Sequence, residues 1–213
     1  MWLDLVFIGI FLAGVYYLVR YRLNLKMAAE LSTQAVFPRS KEEFSSILVP
    51  AEWKEMTSLT KETKSYRLAH WGTMIVLGLL IVLIGIAMFT DWFDASLFSF
   101  TYFFFLILNS IRHPNNFFIL PRGVIFQSRY YRYEQIKSFK VEEIIRWHEL
   151  YGLNDRVNFG FKLTLNVKRS FPVVHFVVIE DEENVKKVIT LLEKNGVQRV
   201  GMAEAEKVAS NNK

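Results

Sequence analysis

Three long apolar runs constrain this chain before any other feature: WLDLVFIGIFLAGVYYLV (Trp2–Val19), GTMIVLGLLIVLIGIAMF (Gly72–Phe89) and WFDASLFSFTYFFFLILNS (Trp92–Ser110). Each is close to the roughly 20 residues a helix needs to cross the hydrocarbon core of a bilayer. The middle run carries no charge, and the other two each carry an Asp near one end. The competing reading for any one run is a buried helix of a soluble core. Together they are the longest apolar stretches of a chain that is 52% hydrophobic and contains 19 Phe. The pattern predicts three transmembrane helices. Trp2–Val19 has no basic segment ahead of it and is followed by RYRLNLK rather than a small-residue cleavage site, so it reads as a retained anchor and not as a signal peptide.

Flanking charge then predicts an orientation, because lysines and arginines are retained on the cytoplasmic side. Arg20, Arg22, Lys26, Arg39, Lys41, Lys54, Lys61, Lys64 and Arg67 lie between the first two runs, and only Thr90-Asp91 between the second and third. Arg112, Arg122, Arg129 and Arg132 follow the third. The expectation is a multi-pass protein of the cell membrane with its N-terminus outside and its C-terminal domain in the cytoplasm. The formal net charge of +5 is then accounted for by retention and by attraction to an anionic inner leaflet.

Between the first two runs, VRYRLNLKMAAEL continues a helix, Pro38 interrupts it, and Ser40 with Glu43 in SKEEF fits a capping box. Pro50 interrupts again, and AEWKEMTSLTKETKSYRLAHW reads as a helix running into the second span. This segment is expected to form short helices or ordered turns near the headgroups. Beyond Pro114 the pattern changes to strands. FFIL (Phe117–Leu120), VIFQSRYYRY (Val124–Tyr133), IKSFKVEEII (Ile136–Ile145), VNFGFKLTLNV (Val157–Val167) and PVVHFVVI (Pro172–Ile179) are separated by turn residues. In Val157–Val167 apolar and polar residues alternate, the period of a strand with one buried face. DEENVKKVITLLEKNG (Asp181–Gly196) is an amphipathic helix with an acidic first turn, a stripe of Val185, Val188, Leu191 and Leu192, and Gly196 at its C-terminal cap.

A hairpin through Arg122-Gly123, the turn Tyr133-Glu134-Gln135 before Ile136, and one terminal helix together resemble the bacterial pleckstrin-homology-like domains of small membrane proteins of Gram-positive type. The resemblance spans roughly 115–196. It implies a bent antiparallel sheet or split barrel capped by the C-terminal helix, a membrane-tethered setting, and a mostly unassigned function. The eukaryotic relatives bind phosphoinositides through basic residues of the first hairpin loop, where this chain has Arg122 alone.

The expected architecture is therefore membrane α-helical with a small α+β cytoplasmic domain. Its parts are a first transmembrane helix (1–19), a cytoplasmic amphipathic segment (20–71), a transmembrane hairpin (72–110), the PH-like domain (115–196) and a flexible tail (197–213). Chemistry is thinly encoded. With no cysteine, disulfides and thiolate chemistry are excluded. His70, His113, His148 and His175 are widely spaced, HELYG lacks the second histidine of a zincin helix, and there is no nucleophile elbow or glycine-rich phosphate loop. No cofactor, metal or catalytic residue is expected. Interleaved rings and cations in GVIFQSRYYRYEQIKSF are a pattern that single-stranded nucleic acid can use. Strand alternation assigns the rings to a core instead, and no nucleic-acid partner is expected. Between Arg112 and Lys140 six basic residues stand against Glu134 alone. Arg112, Arg122, Arg129, Arg132, Lys137 and Lys140 are thus the candidates for facing the anionic inner leaflet or a protein partner. A second functional class stays open, a small transmembrane bundle serving as an accessory subunit of a transport or envelope complex.

Overall fold

The computed structural model describes residues 2–50, 53–89, 116–168 and 175–200. They fall in two units, one built from 1–30 and 59–114 and the other from 31–58 and 115–213.

The first unit contains α1 (Trp2–Leu31) and α3 (Lys64–Phe89). Each buries a helical stripe: Phe11, Leu18, Tyr21, Leu25 and Ala28 on α1, and Tyr66, Ala69, Thr73, Val76 and Leu80 on α3. These spacings of three, four and seven residues are those of one helix face. The two helices are bridged by Arg22, whose Nη2 lies 3.1 Å from His70 Nε2, and Lys61 in the turn before α3 donates through Nζ to Glu30 of α1 at 2.8 Å. Opposite the stripe, α3 exposes Leu68, Trp71, Ile75, Leu79 and Val82.

The expectation of three spanning helices is corrected here. Among the described residues one helical segment, Lys64–Val82, is long and apolar enough to cross a membrane, with a mean hydropathy of 1.3. The run Trp2–Val19 does not end as a separate span. It is the start of a helix of 30 residues that continues through Arg20, Arg22, Lys26 and Glu30, charges that are costly in hydrocarbon. The third run, Trp92–Ser110, and the turn before it lie outside the described residues. A multi-pass topology, with the inside and outside assignments that depended on it, is not what the structure supports.

In the second unit, α2 (Lys41–Ser45) begins at the capping box read from SKEEF. Ser40 Oγ accepts from the Glu43 amide at 3.3 Å, and Glu43 Oε2 accepts from the amides of Ser40 at 3.3 Å and Arg39 at 2.5 Å. Burial alone would raise the Glu43 pKa, but its bonds from Lys187 and from these two amides outweigh it and hold the carboxyl below its usual range. The segment that follows is not helical as expected. Ile47–Val49 (β1) and Lys54–Glu55 (β2) pair with each other, and β1 then pairs with His175–Ile179 (β8), far along the chain.

The second half of the unit forms two sheets. Phe117–Leu120 (β3), Gly123–Phe126 (β4) and Arg129–Arg132 (β5) make a three-stranded meander. The stretch read as one strand, Val124–Tyr133, is two: Gln127 and Ser128 take φ of 48° and 62° and turn the chain. Positive φ at both central residues is the geometry of a two-residue hairpin turn. Asn116 holds it, its carbonyl accepting from the Gln127 amide at 3.0 Å and its Oδ1 from the Ser128 amide at 2.9 Å. The larger sheet runs β2-β1-β8-β7-β6-β9, with β6 Ile136–Glu143, β7 Phe161–Val167 and β9 Gln198–Arg199. β9 pairs parallel with β6, so the sheet is mixed and open. The expected PH-like split barrel is corrected accordingly. Strand β1 from upstream and strand β9 from downstream extend the sheet at both sides, where closure would need its edges to meet.

α4 (Glu182–Lys194) forms where the amphipathic stripe predicts it. Asp181 accepts from the Asn184 amide at 3.1 Å as N-cap, Val185, Val188 and Leu192 are buried, and Gly196 follows the last turn at φ 78°. One face of β6–β8 contributes Phe139, Leu163, Leu165 and Val177 to the core. The other face is half polar. Lys162 is buried there, 5.0 Å over the Phe176 ring and bonded to Glu149 at 2.5 Å.

Candidate functional site

The candidate site is built by the meander and the turn after it. β3 ends at Leu120, and Pro121-Arg122 turns into Gly123, which pairs with Arg132 at the end of β5. Because Gly123 and Arg132 are opposite one another, the β3–β4 turn stands beside the turn of 3-10 helix Tyr133–Gln135. Any side chain in place of the glycine hydrogen would force the neighbouring strand to shift. A Cβ at Gly123 would lie 2.2 Å from the Tyr131 carbonyl oxygen and 2.7 Å from the Tyr130 ring.

The two turns are tied by hydrogen bonds. Tyr133 Oη donates to the Leu120 carbonyl at 2.6 Å, Tyr130 Oη donates to the Arg122 carbonyl at 2.9 Å, and the Arg132 amide donates to Gln135 Oε1 at 2.9 Å. Burial, with Tyr130 adding to it, pushes the Tyr133 phenol up to about 12. It is therefore a neutral donor at physiological pH. Between the turns lies a cleft of about 820 Å³ lined by Leu31, Gln34, Leu120, Pro121, Arg122, Tyr130, Arg132, Tyr133 and Glu134. Arg122 and Arg132 are exposed and make no ion pair among the described residues. Two planar guanidiniums with free donors suit a phosphate or carboxylate. Glu134 at the same cleft leaves its charged side chains with a net charge of +1.

The six candidate residues are thus dispersed. Arg122 and Arg132 meet at the cleft. Arg129 pairs with Phe126 at the opposite end of the hairpin, roughly 10 Å along the strand from Arg132. Lys137 is exposed on β6 in the other sheet, and Lys140 is engaged by Glu142 at 2.7 Å. Arg112 lies outside the described residues.

Sequence reasoning missed two groups. Arg156 is a structural hub: Nε and Nη2 grip Glu180 at 2.8 and 2.5 Å, Nη1 reaches Glu55 at 2.8 Å, and Nη2 reaches the Ser45 carbonyl at 3.0 Å. Its pKa is raised first by the Glu180 hydrogen bonds and then by Glu55. Nothing local marks it, because its partners come from three distant segments. The second group is the tip of the loop after β6, where Trp147 stands 92% exposed. Its signal was available in IIRWHELYGL, which has large apolar residues where a turn is expected. His148 uses Nδ1 to accept from the Leu150 amide at 3.1 Å. Among the described residues no three His, Asp or Glu side chains gather as metal ligands would.

The chain matches no protein-family model, no curated protein and no solved structure. The PH-like resemblance thus rests on the sequence features that suggested it.

Proposed function

We propose that the second unit is a recognition module whose Arg122–Arg132 cleft takes the anionic headgroup of an acidic phospholipid. The role is binding without turnover. The observation that carries the proposal is the pairing of two exposed guanidiniums, free of carboxylate partners among the described residues, across one preformed cleft. A bilayer as the source of the anion is supported by α3, whose Lys64–Val82 segment has the length and apolarity of a span. Exposed Lys137 and Arg129 add longer-range attraction to an anionic surface.

The test is titration of the full chain, in neutral detergent, with short-chain phosphatidylglycerol and with phosphatidylcholine of the same chain length. The anionic lipid is expected to bind, and more weakly as salt rises. At about 1 kcal/mol for each basic residue near an anionic surface, replacing Arg122 and Arg132 together by Ala weakens binding roughly 30-fold. Both side chains are exposed, so the unfolding midpoint stays put. Equal affinity for the two lipids sinks the proposal.

A further inference from the structure

The loop joining β6 to β7 displays more apolar surface than its own fold uses. It closes on itself: the Ile144 amide donates to the Gly160 carbonyl at 2.8 Å, and the Phe159 amide to the Ile144 carbonyl at 3.0 Å. Compact loops of this length whose ends meet are frequently functional. Inside, Ile144, Leu150 and Val157 are buried against Leu48 and Val178 of the sheet. A set of short turns fixes the rest, with the Gly152 amide on Asn158 Oδ1 at 2.8 Å and the Val157 amide on the Asn154 carbonyl at 3.0 Å. Outside, Ile145 is 47% exposed, Leu153 57%, Phe159 64% and Trp147 92%. Phe159 is held outward at a φ of 66°, in edge contact with Tyr151 at 5.7 Å. An anchored loop that spends a strained residue and a tryptophan on solvent is shaped for contact.

Its charges say what the contact is. Arg146 is exposed and unpaired, and so are Glu143 and Asp155, among the described residues. The loop therefore exposes apolar side chains together with unpaired charges of both signs. Neither an anionic membrane nor a nucleic acid selects that pattern. It is self-complementary, as a twofold interface requires, since each copy meets the other with the same patch. Tryptophan and arginine are also the anchors that dominate interface energetics. The loop lies at the far end of β6 from the turn Tyr133–Gln135, roughly 23 Å away along the strand. A partner on the loop leaves the Arg122–Arg132 cleft open.

We infer that a second copy of this chain docks on the Ile144–Gly160 loop, forming a twofold dimer centred on Trp147 and framed by Arg146 against the acidic residues of the other copy.

The chain has no cysteine, so a single Leu153→Cys variant reports directly on this contact. The full chain in neutral detergent is expected to sediment as a dimer, and the variant to form an intermolecular disulfide under mild oxidation. Trp147→Ser, at a position the fold leaves in solvent, is expected to raise the dimer dissociation constant at least tenfold with an unchanged unfolding midpoint. Arg146→Glu is expected to weaken the dimer in a way that high salt reduces. A monomer at all concentrations overturns the inference. So does a dimer that Trp147→Ser leaves intact and Leu153→Cys does not crosslink.

Discussion

The two ends of β6 carry opposite chemistry on one sheet. At its start the Tyr133–Gln135 turn helps wall a concave cleft with two free guanidiniums. At its end the Ile144–Gly160 loop exposes Trp147 and other apolar side chains, along with charges of both signs. Both ends are preorganised, but by different means. Hydrogen bonds from two tyrosines to backbone carbonyls shape the cleft, while a buried apolar cluster holds the loop. Recognition of a small anion needs donors at fixed positions, and recognition of a protein needs a rigid apolar anchor. The supporting forces match the proposed tasks.

The comparison can be broken at either end, and the loop end has the larger effect. Leu150→Ala removes a buried side chain from beneath the loop and is expected to cost about 2–5 kcal/mol. Chemical denaturation measures it, and lipid titration on the folded fraction should retain its affinity. Loss of both activities would mean that the ends are not independent.

Gly123→Ala acts at the other end. Its Cβ runs into the Tyr131 carbonyl, and the overpacking is expected to cost about 1–3 kcal/mol. Anionic-lipid affinity should fall while the dimer persists in the folded protein.

Tyr133→Phe is the mildest, about 1 kcal/mol for one hydrogen bond. The same tyrosine gives a pH signature. Its folded pKa is raised, so its contribution is full below the unfolded value near 10 and is lost as pH rises toward about 12. Stability of the native protein should decline across that alkaline window more steeply than that of Tyr133→Phe, as thermal melts at stepped pH would show.

Much of the local structure was legible in the sequence. The capping box of Ser40 and Glu43 and the helix over Asp181–Gly196 need only neighbours within one or two turns, and both form. FFIL and IKSFKVEEII become β3 and the body of β6. The errors share another cause. Ile47–Val49 is a strand because β8 accepts it, and three apolar residues in isolation read equally well as part of a helix. Gln127-Ser128 carries neither glycine nor asparagine, and it turns because Asn116, eleven residues earlier, binds both amides. The continuation of the first helix beyond Val19 was by contrast legible, because VRYRLNLKMAAEL contains no helix breaker, and α1 runs to Leu31.

The candidate site divides in the same way. That basic residues crowd between Arg112 and Lys140 is a property of the sequence. Which of them meet is decided by pairing register: Gly123 opposite Arg132 brings Arg122 and Arg132 to one cleft, and the same ladder sends Arg129 to the far end. Composition and periodicity by themselves determined the apolar helices, the strand-rich second half and the terminal helix, because those depend on interactions between near neighbours. The sheet order, the cleft and the exposed tryptophan depend on hydrogen bonds and packing between segments far apart in the chain, and only the tertiary structure decided them.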